Sequence, residues 1–361
     1  MATKTHSQSQ SIKVGPLRRG EVEEADRIMR LAFGTYLGVP DPLTFMGDRG
    51  FLRPRWGAPH VQMIGARAGG RLIGSNVVTR WGAFGFLGPL TVLPEFWNSG
   101  VAQQLLGATM PVFERWGVRR TGLFTFSNSA KHVGLYQKFG YWPGYLTAIM
   151  TRAAASQAGP APLLLSNLVR GEQERSIREC AALTGAIDPG LDLSDEIRAT
   201  LVQGAGDVVL TDSRRNDGFD GFAGFAVCLT GAGTEGGAKT CYSRQLGSAT
   251  SRAGARCRQS KPAHKRPAGA TQRKVASHVK FGAARGGAGA GARFDKLMDA
   301  VEAFAGARGT TVEAGVNLAR EGAFRRLRDR GYRTGTQGVA MQRPHAAGFN
   351  RPGAYVIDDW R

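Results

Sequence analysis

Two hydrophobic periods organise the first 150 residues. In GEVEEADRIMRLAFGTYLG, Val22, Ala25, Ile28, Met29, Ala32 and Phe33 recur at three and four residues, with acids leading. That spacing predicts an amphipathic helix whose first turn suits its dipole. HVQMIGARA and RLIGSNVVTRWG alternate around Ala68-Gly69-Gly70 and predict a hairpin. FGFLGPLTVL predicts a further strand. In the next segment Val101, Leu105, Ala108, Val112 and Trp116 form one helical stripe, in which Pro111 predicts a kink. RTGLFTFSN and GYWPGYLTAIMTR predict strands flanking a short helix, SAKHVGLYQKFG, capped by Ser127 or Asn128 and stopped at Gly140.

The order then partly repeats. LLLSNLVRG, GDVVLTDS and GFAGFAVCLTG predict strands, and EQERSIRECAALTG and GARFDKLMDAVEAFAGARG predict helices. TVEAGVN and REGAFRRLRDRGYR follow. At a fixed offset of 191, Gly100, Leu106, Phe113, Gly140 and Tyr141 fall on Gly291, Leu297, Phe304, Gly331 and Tyr332. One register held across helix, strand and helix predicts an internal duplication. The expected organisation is a tail at 1–11, a first copy at 12–151, a small-residue linker at 152–162, a second copy at 163–343 and a tail at 344–361. In that last tail Tyr355, Ile357 and Trp360 are expected to pack back on the first copy.

Charge changes this picture in one place. Of the formal +20, +9 lies in residues 243–278, which carry nine Lys or Arg, no acid and no aromatic residue. Such a composition cannot bury enough apolar area to offset its ordering entropy, so a disordered basic insert is expected. Without aromatic stacking platforms it makes a poor single-strand nucleic-acid binder. It also separates Cys241-Tyr242 from Val279-Lys280-Phe281, which would otherwise read as one strand. Cys180, Cys228, Cys241 and Cys257 form no CxxC pair and no zinc pattern, so no metal is expected and a reducing cytoplasm fits. No apolar run is long enough to cross a bilayer, so no membrane partner is expected.

The candidate chemistry starts at WNSGVA, residues 97–102. A glycine turn entering a helix can turn its backbone N–H groups toward a pyrophosphate, although many ordinary turns look the same. Its context is more specific: a strand ends at Val92-Leu93-Pro94 before it, and Asn128, Leu135-Tyr136 and Gly140-Tyr141 follow. Together these residues resemble the GCN5-related N-acetyltransferase (GNAT) family, whose loop reads Arg/Gln-x-x-Gly-x-Gly/Ala. The likeness covers residues 12–152 well and the second copy loosely. Trp97 departs from the family's Arg or Gln.

The resemblance implies an α/β (α+β) fold of two tandem domains. Each would be a mixed, mostly antiparallel twisted sheet flanked by helices, with a splayed parallel strand pair. It implies acetyl-CoA as co-substrate and direct transfer of the acetyl group to an amine acceptor, small molecule or peptide, in the first copy. Leu90, Thr91, Val92, Asn98, Ser99, Gly100, Val101, Ala102 and Asn128 would hold the cofactor, and Tyr136 would protonate the leaving thiolate. Glu95 is the candidate base, with Asp41, Asp48 and His60 as others. The second copy carries Arg293 where Ala102 stands and Leu327 where Tyr136 stands, which implies a structural role. A silent acyl-CoA-binding module is the alternative function. The loop 41–57 mixes Phe45, Phe51 and Trp56 with Arg49, Arg53 and Arg55, and leaves the acceptor open.

Overall fold

The structure, a computed structural model, describes residues 11–153, 161–212, 222–231, 234–236 and 276–360. The basic insert therefore lies almost wholly outside the described residues, as do Cys241 and Cys257. Its last three residues do not: Ala276–His278 open a buried strand, while Cys241-Tyr242, read as part of that strand, lie outside the described residues.

The first half runs β1 (Ile12–Pro16), α1 (Val22–Tyr36), β2 (Val61–Ala68), β3 (Arg71–Trp81), β4 (Phe84–Val92), α2 (Val101–Arg115), β5 (Arg120–Thr125), α3 (Ala130–Gln137) and β6 (Trp142–Ala153). The second runs β7 (Leu163–Leu164), α4 (Arg170–Ile187), α5 (Ser194–Val202), β8 (Gly206–Asp212), β9 (Phe222–Leu229), β10 (Ala276–Ala284), α6 (Ala290–Gly306), β11 (Thr311–Asn317), α7 (Glu321–Asp329), β12 (Arg333–Arg343) and β13 (Val356–Ile357). The predicted strand LLLSNLVRG shrinks to Leu163–Leu164, because a 3-10 turn takes over at Leu165. Pro111 does not break α2: it lies on the exposed face, where water can reach the carbonyl left without a donor.

Among the described residues all strands join one 13-stranded sheet in the order β1-β2-β3-β4-β5-β12-β6-β11-β10-β9-β8-β7, with β13 beside β10. Its neighbours are antiparallel except β4/β5 and β10/β11. The two halves exchange their last strands. β12 enters the first half between β5 and β6, pairing Val339 with Thr125 and Arg343 with Thr121. β6 leaves to pair with β11, Ala153 opposite Thr311 through Thr147 opposite Asn317.

Three apolar clusters follow from the alternation. One lies under α1 and α2, one under α6 and α7, and one on the opposite face beneath α4 and α5. The last is rich in aromatic rings: Trp81, Phe84, Phe86, Phe281, Phe349 and Trp360 meet edge-to-face or tilted, such as Trp81 and Phe281 at 5.5 Å. Each such pair contributes about 0.5–1.5 kcal/mol beyond its burial. Buried ion pairs also tie the halves together. Arg49 meets Glu313 at 3.1 Å, Arg55 meets Glu235, and His60 Nε2 lies 3.1 Å from Glu196. Lys280 Nζ is 3.7 Å from Glu235. Its pKa falls to about 7, first through burial and then through Arg55, against the opposing pull of Glu196, Asp359 and Asp358.

Candidate active site

The site begins where β4 and β5 stop pairing. Phe84, Gly85 and Phe86 lie opposite Arg120, Thr121 and Gly122, and the ladder goes no further. On its other side β4 slips register against β3 between Leu87 and Leu90, at Gly88-Pro89. The edge of β4 from Leu87 to Val92 is thus left facing a wedge that β5 has vacated.

A groove of about 740 Å³ occupies this wedge, bordered by Leu90, Thr91, Val92, Trp97, Gly100 and Ala102 on one wall. Gly100 is the N-cap of α2 with φ +80°, and no side chain caps the helix. The first N–H groups of α2 therefore keep the donors that an anionic group would use. A side chain at Gly100 would meet nothing within 4 Å, so conformation and not space demands glycine there. Asn98, with φ +66°, also borders the groove. Ser99 turns away and bonds the Phe96 carbonyl at 2.5 Å.

Trp97 has a structural task. Its Nε1–H donates to the Val92 carbonyl at 2.8 Å and so ties the turn to the end of β4. The Lys131 ammonium lies 5.9 Å from the centre of its ring. Lys131 and Lys138, from the opposite wall, bring positive charge to the groove.

Two titratable side chains of α3 border both this groove and a second cavity: His132 and Tyr136. They stand four residues apart, one turn along the same helix face. Tyr136 is 6% exposed, and burial, then Tyr141, pushes its pKa well above that of a free phenol. His132 is half-buried, and burial, then Lys131, lowers its pKa. Its Nδ1 lies 2.6 Å from Ser129 Oγ, which also accepts from the His132 backbone N–H. Tyr36 and Phe126 meet its ring at 4.9 and 5.6 Å. Ser129 is the N-cap of α3, not Ser127 or Asn128.

The other candidates lie elsewhere. Glu95 is exposed and pairs with Arg71 at 3.1 Å, away from both cavities. Asn128 is exposed in the turn before α3 and borders neither. Asp41 caps a 3-10 turn through the Leu43 N–H, Asp48 is exposed, and His60 is committed to Glu196. His132 and Lys131 were overlooked although they stand in SAKHVGLY, one turn before Tyr136. That spacing was the available signal.

The corresponding wedge of the second half is closed. β10 and β11 pair from Ala276 to Val279 and then separate. The C-terminal segment enters between them: Ile357 and Val356 pair with Gly282 and Ala283, and the Asp358 N–H donates to Gly315 at 2.8 Å. A Cβ on Gly315 would fall 2.3 Å from that of Asp359. Buried Arg320 holds the segment through Asp358 at 2.8 Å and the Val356 carbonyl at 2.9 Å. The tail is divided, for Trp360 does reach the first half, packing on Phe84. The glycine turn itself persists. Gly289, with φ +74°, caps α6, so it and not Gly291 stands where Gly100 does. Gly291 then matches Ala102, and Arg293 lies a half-turn on, its guanidinium donating to the carbonyls of Arg285, Gly286 and Ala288.

A mixed sheet with a splayed parallel pair, a glycine turn opening a helix in the wedge and a tyrosine facing it define an acyltransferase fold. Comparison with known proteins agrees. Residues 27–141 match the profile described as the Acetyltransferase (GNAT) family, so the chain carries a GNAT acetyltransferase domain and is an acyltransferase. A Pyrococcus horikoshii protein designated an acetyltransferase superposes with a TM-score of 0.59 at 11% identity, covering 100% of this chain and 98% of its own. A GCN5-related N-acetyltransferase from Sphaerobacter thermophilus gives 0.53 at 15% identity, covering 95% and 96%. At these identities the likeness is one of fold, and it extends over both halves. No curated protein sequence matches the chain. Among the described residues no helix is long and apolar enough to cross a membrane.

Proposed function

We propose that the chain transfers an acetyl group from acetyl-CoA to a primary amine, at one site in its first half. The observation that carries this reading is the pair His132 and Tyr136 at the junction of the groove and the second cavity. The turn at 98–102 and the start of α2 would bind the pyrophosphate through backbone N–H groups, and Lys131 and Lys138 would add charge. The free edge of β4 at Leu90–Val92 would stabilise the charge that develops on the thioester oxygen.

In the tautomer that donates Nδ1–H to Ser129 Oγ, His132 would have the Nε2 lone pair for the amine. With its pKa lowered it is neutral at pH 7 and suited to take the amine proton. Tyr136, with its pKa raised, keeps its proton until the thiolate departs. The nitrogen–carbon bond forms as the carbon–sulfur bond breaks. The proton taken by His132 returns through solvent to Tyr136. Glu95, committed to Arg71, has no part in this scheme.

We read the second half as a diverged copy whose wedge holds its own C-terminus. The repeated order of strand, helix, strand, helix and strand, and the matched Gly100 and Gly289, support that reading. Calorimetry with acetyl-CoA and a CoA-release assay test the proposal. One bound equivalent and turnover sensitive to Tyr136→Phe are expected. Binding without turnover of any amine would instead favour a silent acyl-CoA-binding module.

A further inference from the structure

The second cavity holds about 120 Å³ and lies between β4, the end of β5, α1 and the loop after it. An apolar cavity of about 150 Å³ accommodates benzene; this one is slightly smaller but adjoins the groove at Leu90, His132 and Tyr136, so together they have room for one small ring or branched alkyl group. Its walls include Phe45, Phe51, Phe124, Phe126 and Trp360. Among the described residues that line it, His132 and Tyr136 alone are titratable, and none is a carboxylate.

The loop 41–57 sorts its mixed residues. Phe45 and Phe51 turn inward, while Arg49 pairs with Glu313, Arg55 with Glu235 and Arg53 stays at the surface. Phe45 is further fixed by stacking on Phe33 at 5.6 Å. Among the described residues of the cavity, neither an anionic nor a second cationic group on the acceptor would find a charged partner. Burying such a charge unpaired is costly, and so is burying peptide amides without hydrogen bonds.

We propose that the acceptor is a primary amine carried on a compact, uncharged aromatic or branched apolar group, seated in this cavity with its nitrogen toward His132. This rests on reading the groove as the acetyl-CoA site. The apolar wall also disfavours the ammonium form, so the amine is delivered to His132 with its proton easily lost. Polyamines, amino sugars and peptide N-termini are excluded by the same walls.

The test measures CoA release by the full chain with 2-phenylethylamine, isopentylamine, spermidine and an alanyl tripeptide, beside calorimetric binding of acetyl-CoA. We expect kcat/KM for the first two to exceed the others at least tenfold. Phe51→Ala should admit 2-(1-naphthyl)ethylamine, lowering its KM, and Phe45→Glu should cut 2-phenylethylamine turnover at least a hundredfold while acetyl-CoA still binds. Preference for spermidine or the peptide, or acetyl-CoA binding with no turnover of either apolar amine, overturns the acceptor class and leaves the cofactor site standing. Failure to bind acetyl-CoA overturns the cofactor site and this inference with it.

Discussion

His132 and Tyr136 lie one turn apart on α3 with pKa values displaced in opposite directions, the imidazole down and the phenol up. Both displacements begin in burial, which disfavours the charged form of each. The result is a neutral imidazole beside a neutral phenol at the same pH, the pairing that the proposed acyl transfer between neutral groups would use.

The pH profile follows. kcat should fall on the acid side as His132 protonates, with an apparent pKa below the usual histidine value, and should show no loss up to pH 10. His132→Gln should remove the acid limb. Tyr136→Phe should lower kcat by about 10²–10⁴ with acetyl-CoA affinity retained. A stopped-time assay across pH 5–10 checks both, and an unchanged acid limb in His132→Gln would assign it to another group.

Gly100 bears the turn. An L side chain at its φ of +80° costs roughly 1–2 kcal/mol. Gly100→Ala should weaken acetyl-CoA binding about tenfold and lower stability. Gly100→Asn, which tolerates the left-handed region, should recover most of both, as read by calorimetry and urea titration.

Lys280 sets a stability slope. Its pKa is lowered in the fold, so between about 7 and the unfolded value near 10.4 only the unfolded chain holds this proton. Its contribution is present above the unfolded pKa and is lost as pH falls toward 7. Stability should therefore rise between pH 7 and pH 9 by about 1–3 kcal/mol from this group. Lys280→Met should flatten that rise in urea midpoints measured at the two pH values.

Arg320 and Asp358 form a pair at 2.8 Å, with side chains 1% and 0% exposed. Arg320→Met leaves a buried carboxylate and should cost about 3–5 kcal/mol. Arg320→Met with Asp358→Leu removes both charges and should recover much of the loss. Denaturant unfolding of both variants provides the check.

The wedge was legible because its signals are local. A strand ending before Gly100, and Leu135-Tyr136 five residues before Gly140-Tyr141, fall close together in the chain and fold beside one another. Glu95 adjoins the strand in sequence, whereas the chain turns through a 3-10 segment and pairs it with Arg71, away from both cavities. β12 had no clear signature: RTGTQGVAMQR alternates weakly, and only its place between β5 and β6 makes it a strand. The closed second wedge was hidden for a different reason. Its fixed-offset register slipped by two residues at the glycine turn, and the plug comes from the end of the chain.

The exchange of β6 and β12 has a consequence for how the protein is made. Residues 12–153 contain the whole groove, yet β5, paired only with β4 at Phe84–Phe86, has its other edge open until Val339–Arg343 arrive. The half that holds the groove thus waits on nearly the entire chain leaving the ribosome. Expressed alone, it would emerge with β5 open along one edge and β6 without either of its partners, both templates for aggregation.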